Sequence, residues 1–512
     1  MLGWCGLAPW LATLDRASSW RGALLAGLCM CEAFVLAVFR WFPSAIQDYT
    51  GASWAVALGV VLVVAPLLEP QFFVYAVARH LGSHRRRAAR LWSLAFAGAS
   101  ACVYVGAEWA IPKMFGDTLG HGLYASPLMR QAADIAGAPG LTFVLIVANE
   151  AVLAAGRTIA SHAWRRNRAP VPWSDALAPT GCVAALVVGL LAYGAVRYAQ
   201  LREDGPPAAP VTAAVVQADI SHYERLAAEI GTFDAVRRIL DAHFTLSTEA
   251  LAHGDVDLLV WPETVYPTTF GTPKSDEGAA FDREIGGFVN AVGVPLVFGA
   301  YAAERGDEFN AAVFLEPAGD GRLTFDTYRK TSLFPLTEQV PALLDTAFVR
   351  RWLPWLGTWK PGTEARVLPL ALRDGRRLLV APLICYDALV PSHVIAAVRH
   401  GAELIVTLSN DSWFSYDGVP RLILVISAFR SIETRRPQVR ATNTGISAVI
   451  TPTGELVKAI GVHQRGTLVA AVNPQHSAAT VMLALGDWFG PTALVCGGAL
   501  LLFFRNSQSR HT

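Results

Sequence analysis

Apolar residues are unevenly spread along the chain. Long apolar runs fill the first part and the C-terminal end, and between them short β-rich runs alternate with amphipathic helical patterns. The runs before the middle segment are 2–14, 22–41, 52–78, 91–111, 140–156 and 177–199, and one more, 488–504, closes the chain. Most approach the ~20 residues that cover a bilayer core; the first is short. The pattern predicts a bundle of about six membrane helices over residues 1–200, a domain outside the bilayer over 205–480 and a closing membrane helix over 483–505.

The connecting loops sort by basic residues. Arg16 and Arg21 mark the first loop, Arg79, Arg85, Arg86, Arg87 and Arg90 the third, Arg157, Arg165, Arg166 and Arg168 the fifth, and Arg505 and Arg510 the tail. The second, 42–51, has no Lys or Arg, and the long fourth has only Lys113 and Arg130. Such alternation places the basic loops and the C-terminus in the cytoplasm and the middle domain outside. It also puts the N-terminus outside. The start lacks a basic n-region and a small-residue cleavage site, so no cleavable signal peptide is expected.

In the middle segment, strands are expected at 212–217, 258–261, 296–300, 311–315, 378–383, 404–408, 445–450 and 467–472, and helices at 223–251, 277–292, 392–399 and 421–435. Runs such as Leu404-Ile405-Val406-Thr407-Leu408 suit strands covered on both faces, which defines a layered α/β domain. Asp204–Pro210 reads as a linker, and Gly454 in Thr451-Pro452-Thr453-Gly454-Glu455 as a hairpin turn.

Composition sharpens the class. Of 512 residues 53% are hydrophobic and 16% charged, well below the roughly one-quarter charged of soluble domains. A net charge of +1 gives no electrostatic footprint for nucleic acid, and none is expected as a partner. His121, His222 and His393 are scattered without ligand spacing, so no metal and no cofactor are expected. Glu108, near the end of an apolar run, is either a functional intramembrane carboxylate or one that reaches the interface.

Cys385 is the sole cysteine of the middle segment. It is either a small buried apolar residue or a thiol whose reactivity is used. Polar groups collect where strands are expected to end: Trp261-Pro262-Glu263, then Arg329-Lys330 with Glu338 downstream, then Cys385-Tyr386-Asp387, then Ser409-Asn410-Asp411-Ser412-Trp413-Phe414. Singly, Glu263 reads as a cap or turn residue, Lys330 as an exposed cation and Asn410-Asp411 as turn chemistry. Together they supply what a cysteine nucleophile needs: a carboxylate base and a cation for the oxyanion. Lys330 is also expected to lower the Cys385 pKa.

The ordered set Trp-Pro-Glu, Tyr-x-Lys, Pro-x-x-Glu, Ile-Cys-Tyr and Ser-Asn-Asp-x-Trp-Phe resembles the carbon–nitrogen hydrolase (nitrilase) superfamily. With Arg430-Ser431-Ile432-Glu433, Arg436-Pro437 and Arg440-Ala441-Thr442-Asn443-Thr444-Gly445 and the flanking apolar runs, it is similar to the membrane-embedded apolipoprotein N-acyltransferase branch. The resemblance implies an αββα sandwich inserted between membrane helices and a Glu263–Lys330–Cys385 triad. Glu338 would orient Lys330, with Tyr386, Asp387, Asn410 and Trp413 in support. It also implies a multi-pass protein of the bacterial inner membrane with a periplasmic catalytic domain, acting as a monomer in the lipid bilayer. The acyl donor would be a phospholipid such as phosphatidylethanolamine, the intermediate a thioester, and the acceptor a diacylglyceryl apolipoprotein. The family pattern is altered at Asp387, at Leu336-Thr337-Glu338-Gln339 and at Leu422 and Ile423. A different amine acceptor, a membrane-tethered amidase and a non-catalytic scaffold therefore stay open.

Overall fold

The computed structural model describes residues 2–506 except 84–89, 164–170, 204–209, 222, 319–321, 323, 336, 341–344, 353–356, 358, 413, 415–417 and 476–477. Of the residues singled out above, Trp413, Leu336, His222, Arg85–Arg87, Arg165, Arg166, Arg168, Arg510 and most of the 204–210 linker lie outside the described residues. The chain divides into two compact units, Met1–Gln200 with Leu485–Thr512, and Leu201–Ala484.

The first unit is helical: α1 (Ala8–Leu14), α2 (Trp20–Val38), α3 (Phe42–Thr50), α4 (Trp54–Leu68), α5 (Gln71–Ser83), α6 (Arg90–Ala110), α7 (Ala133–Ala163) and α8 (Ser174–Glu203). Among the described residues three helices are long and apolar enough to cross a membrane, or four if the bent pair α4–α5 counts as one span. That pair replaces the single run expected at 52–78. It bends by 53° where Pro70 cannot donate the helical hydrogen bond. The 42–51 loop is mostly helix α3.

Arg79 is not a loop charge. It is buried within α5, where its guanidinium pairs with Asp15 (2.9 Å) and Glu150, and Arg157 reaches the same Asp15. Glu108 is likewise committed inside the bundle: it accepts from Thr118 Oγ1 at 2.6 Å and lies 3.5 Å from Lys113 Nζ. Lys113 also meets Glu69 (3.0 Å) and Asp117 (3.3 Å).

The second unit is a four-layer sandwich. One sheet runs β13-β1-β2-β4-β5-β6, with β3 beside β4; the other runs β12-β11-β10-β9-β8-β7. The first contains β1 (Val211–Gln217), β2 (Leu258–Val260), β3 (Tyr266–Thr269), β4 (Leu296–Glu304), β5 (Asp307–Glu316), β6 (Thr324–Arg329) and β13 (Gly466–Val472). The second contains β7 (Leu368–Ala371), β8 (Arg377–Ile384), β9 (Leu404–Ser409), β10 (Gln438–Thr442), β11 (Ser447–Ile450) and β12 (Leu456–Ile460). Strand periodicity builds the layers. Val211, Ala213 and Val215 of β1 face the other sheet, packing in one core with Val380, Ile384, Val406 and Val439. The alternate Ala214 and Val216 face outward, into the core beneath α10 (Thr232–Ala252) and α11 (Asp276–Val292). A short helix, α12 (Ala347–Trp352), lies between β6 and β7 in the chain; outside the second sheet, Ala381, Leu383 and Ile405 pack against α13 (Pro391–Arg399), and α14 (Gly418–Thr434) follows β9. Each buried Val or Leu contributes roughly 1.5–3 kcal/mol, so the layering is dictated by apolar burial.

The helix expected over 223–251 is two helices, α9 (Tyr223–Ile230) and α10, parted at Gly231, whose φ of +92° suits glycine. Gly454 (φ +79°) turns the β11–β12 hairpin as expected.

Candidate active site

The parallel arrangement of β1, β2 and β4 in one sheet and of β8, β9 and β10 in the other directs strand C-termini the same way within each sheet. Functional groups in α/β folds collect at such ends. Glu263 follows β2, Lys330 follows β6 directly, Cys385 follows β8 and Asn410 follows β9.

Glu263, Lys330 and Glu338 form one hydrogen-bonded group, the first two buried and Glu338 half-buried. Lys330 Nζ donates to Glu263 Oε1 (3.1 Å) and to Glu338 Oε1 (2.8 Å), and the lysine is only 1% exposed. An ammonium has three N–H donors. Two are spent on carboxylates, and among the described residues no third acceptor is met, so one donor remains for an incoming oxygen. The second Glu338 oxygen accepts from the Phe334 backbone N–H (2.7 Å), which fixes its orientation. Glu263 Oε2 accepts from the backbone N–H of Asn410 (2.8 Å). The Asn410 side chain serves its own turn, accepting from Ser412 N–H (3.3 Å).

Asn310 in the middle of β5 escaped the sequence reading. Its amide donates both to Glu263 Oε1 (2.8 Å) and to Glu338 Oε1 (3.0 Å). Its only sequence signal was a polar residue opening the apolar 311–315 run. Gly299 escaped as well: a Cβ there would lie 2.5 Å from the Glu263 Cα and 2.4 Å from the Thr264 N, so glycine lets β4 pass behind the glutamate.

Cys385 sits in a tight turn (Cys385–Leu389) with φ +46°, in the left-handed region. Such backbone costs of order 1–3 kcal/mol for a non-glycine residue and persists only where the surroundings hold it. Asp387 holds it. Fully buried, it accepts from Ile384 N–H (3.0 Å) on the strand before the cysteine, and from Ser332 N–H (2.7 Å), Thr331 O–H (3.1 Å) and Tyr328 O–H (2.9 Å) on the Lys330 segment. Asp387 thus ties the cysteine turn to the lysine strand end. Tyr386 packs edge-on against Phe334, 5.4 Å between ring centres.

Burial pushes the Cys385 thiol up strongly and Glu263 adds to this; Lys330 pulls it down, as expected, but is outweighed. The resting thiol is therefore neutral and needs a base. Burial also raises Glu263, against the opposing pull of Lys330 and the Asn310 hydrogen bond. Burial disfavours the Lys330 ammonium, but Glu263 and Glu338 more than offset it, so the lysine stays protonated.

The Arg-Ala-Thr-Asn-Thr-Gly block braces the floor of the site. Arg440 of β10 pairs with Asp411 at 3.3 Å, both fully buried, and Gly445 leaves room for that carboxylate: a Cβ would meet Asp411 Oδ2 at 2.0 Å. Leu422 and Ile423 lie on α14, the latter buried. Among the described residues no group of His, Cys, Asp and Glu could hold a metal ion.

A buried carboxylate–ammonium pair stands beside a cysteine on a strained strand end, carried by a two-sheet α/β sandwich. The chain belongs to the carbon–nitrogen hydrolase family, whose profile matches residues 212–481. Residues 1–151 match a second profile, the apolipoprotein N-acyltransferase N-terminal domain, which narrows membership to the membrane-embedded branch. Relatives similar over nearly the whole chain carry that name. One from Geobacter metallireducens is 29% identical, the match covering 100% of this chain and 92% of the relative. Others are from Bdellovibrio bacteriovorus (26%; 97% and 88%) and Caulobacter vibrioides (28%; 92% and 84%). With its apolar helices, the chain is a membrane protein.

Proposed function

We propose that this protein is an acyltransferase of lipoprotein maturation. It moves an acyl chain from a membrane lipid to an apolipoprotein, as the names of its full-length relatives support. The observation that carries the chemistry is the Glu263–Lys330–Glu338 group beside the strained Cys385 turn.

In the reading we favour, Glu263 removes the Cys385 proton as sulfur attacks the ester carbonyl of a phospholipid, phosphatidylethanolamine being the expected donor. The one uncommitted Lys330 N–H meets the oxyanion. The carbon–oxygen bond breaks, Glu263 returns the proton to the departing lysophospholipid oxygen, and a thioester remains on Cys385. The α-amine of the diacylglyceryl cysteine then attacks the thioester. Glu263 takes a proton from that amine, and the amide forms as sulfur leaves and is reprotonated. A base that becomes an acid within one cycle benefits from a raised pKa. Glu338 and Asn310 keep Lys330 and Glu263 in register. The loop charges support a periplasmic catalytic domain on a multi-pass inner-membrane protein.

The test is direct. Incubated with phosphatidylethanolamine, the protein should gain one acyl group on the Cys385 peptide by mass spectrometry and pass it to a diacylglyceryl peptide. Ammonia released from small amides without any acyl adduct would instead mark an amidase.

The pH dependence follows from Glu263. Its ionised form is the base, so kcat/KM should fall as pH drops through a pKa above the ordinary carboxylate value of about 4.3. The Asn310 hydrogen bond favours the ionised form, so Asn310→Leu should move this acid limb upward by about one pH unit, as expected for a hydrogen bond to a charged group. An unmoved limb in a pH–rate profile would exclude Glu263 as the group titrating there.

A further inference from the structure

His393 stands on α13, eight positions after the cysteine and apart from the carboxylate–lysine group. Its imidazole is half-buried and meets two hydroxyls: Nε2 lies 3.0 Å from Tyr328 Oη, and Nδ1 lies 3.2 Å from Thr331 Oγ1. Those hydroxyls are 2.8 Å from each other, and both reach Asp387.

Counting hydrogens gives the imidazole a task. Tyr328 and Thr331 bring one hydroxyl hydrogen each. If both point at the Asp387 carboxylate, two oxygens 2.8 Å apart face each other and the imidazole with lone pairs only. An N–H from His393 is then the donor that one of these oxygens can still accept. Burial lowers the His393 pKa despite Asp387 nearby, so at neutral pH it is a neutral ring that donates from one nitrogen and accepts at the other. That suits a ring in which Thr331 turns toward whichever partner lacks a hydrogen.

The cluster's position gives it consequence. Thr331 is the residue after Lys330, Tyr328 lies in β6 two residues before it, and Asp387 holds the strained Cys385 turn. We propose that His393 is a positioning residue for acyl transfer: by donating into the Tyr328–Thr331 pair it keeps Asp387 joined to both the Lys330 strand end and the Cys385 turn. This rests on the reading of Cys385 as nucleophile. His393 touches no reacting atom in this scheme; it acts through Asp387 on the distance between sulfur and ammonium.

The test compares His393→Phe, which fills the ring's volume without a donor, with His393→Gln, which restores one. Single-turnover acylation of Cys385 by phosphatidylethanolamine is followed by mass spectrometry in full-length protein, and the melting of each variant is recorded. The phenylalanine variant should acylate about ten- to a hundred-fold more slowly, the range expected for misplacement by a fraction of an ångström to 1 Å, with KM for the lipid within about twofold. The glutamine variant should recover most of that rate. Equal rates in wild type and His393→Phe, or a glutamine variant as slow as the phenylalanine one in an equally stable protein, would overturn the proposal. Should the phenylalanine variant not fold, His393→Leu carries the same comparison. No Cys385 adduct in the wild type would overturn the mechanism itself, a result distinct from a normal adduct that is indifferent to His393.

Discussion

Cys385→Ala should form no acyl adduct and lose lipoprotein N-acylation by about 10⁴-fold or more, because in the proposed mechanism the Cys385 sulfur holds the acyl chain between donor and acceptor. Its stability should change little. The thiol sits at the rim of the inter-sheet core, packed against it but not part of it. Alanine also keeps the Cβ that the left-handed turn has already accommodated. The measurement is acyl transfer to a diacylglyceryl peptide, beside a melting curve of the same preparation. Residual transfer near the wild-type rate in the alanine variant would remove Cys385 from the mechanism. A large drop in melting temperature would return it to a structural role.

Lys330→Met should be costly twice. The side chain is nearly isosteric, so the effect is electrostatic. Glu263 and Glu338, both hydrogen-bonded to one ammonium and one amide, would face each other across Asn310 alone. Removing one partner of a buried ion group costs about 3–5 kcal/mol in unfolding experiments. The oxyanion would also lose its donor, lowering the acylation rate by about 10²–10³-fold. Glu263, already raised by burial, would be pushed higher still, so any remaining activity should have its acid limb at higher pH. Lys330→Met combined with Glu338→Gln should regain part of the stability but none of the rate. Regaining both would mean that Lys330 serves the fold alone.

Much of the second unit was legible because apolar strands advertise themselves. β1, β4, β8 and β9 each contain a nearly unbroken apolar stretch covered on both faces, and β13 one whose alternate positions are half-buried or exposed. β10 was not legible. Gln438 and Arg440 look like surface residues, yet both are fully buried, the first bonded to Thr407 and the second to Asp411. Polar residues whose partners lie on other elements leave no periodic trace. For the same reason Arg79 passed for a loop charge: Asp15 and Glu150, which make its burial affordable, are 64 and 71 positions away. Asn310 was hidden differently, since an asparagine within a strand gains meaning only from the two carboxylates opposite it.

The sequence by itself determined that there are membrane helices and a layered α/β domain, because hydrophobic period and loop charge are local properties. It also named Glu263, Lys330 and Cys385, because their motifs stand where strands end. Only the tertiary structure decided how these side chains meet. Whether the cysteine rests as thiol or thiolate depends on how burial and Glu263 weigh against Lys330. Which donor Lys330 keeps free depends on Glu263 and Glu338. Asp387 spans from the cysteine turn to the lysine strand end through Tyr328, Thr331 and Ser332. These are balances among groups far apart in the chain, and electrostatic energies depend on distance and burial rather than on order in sequence.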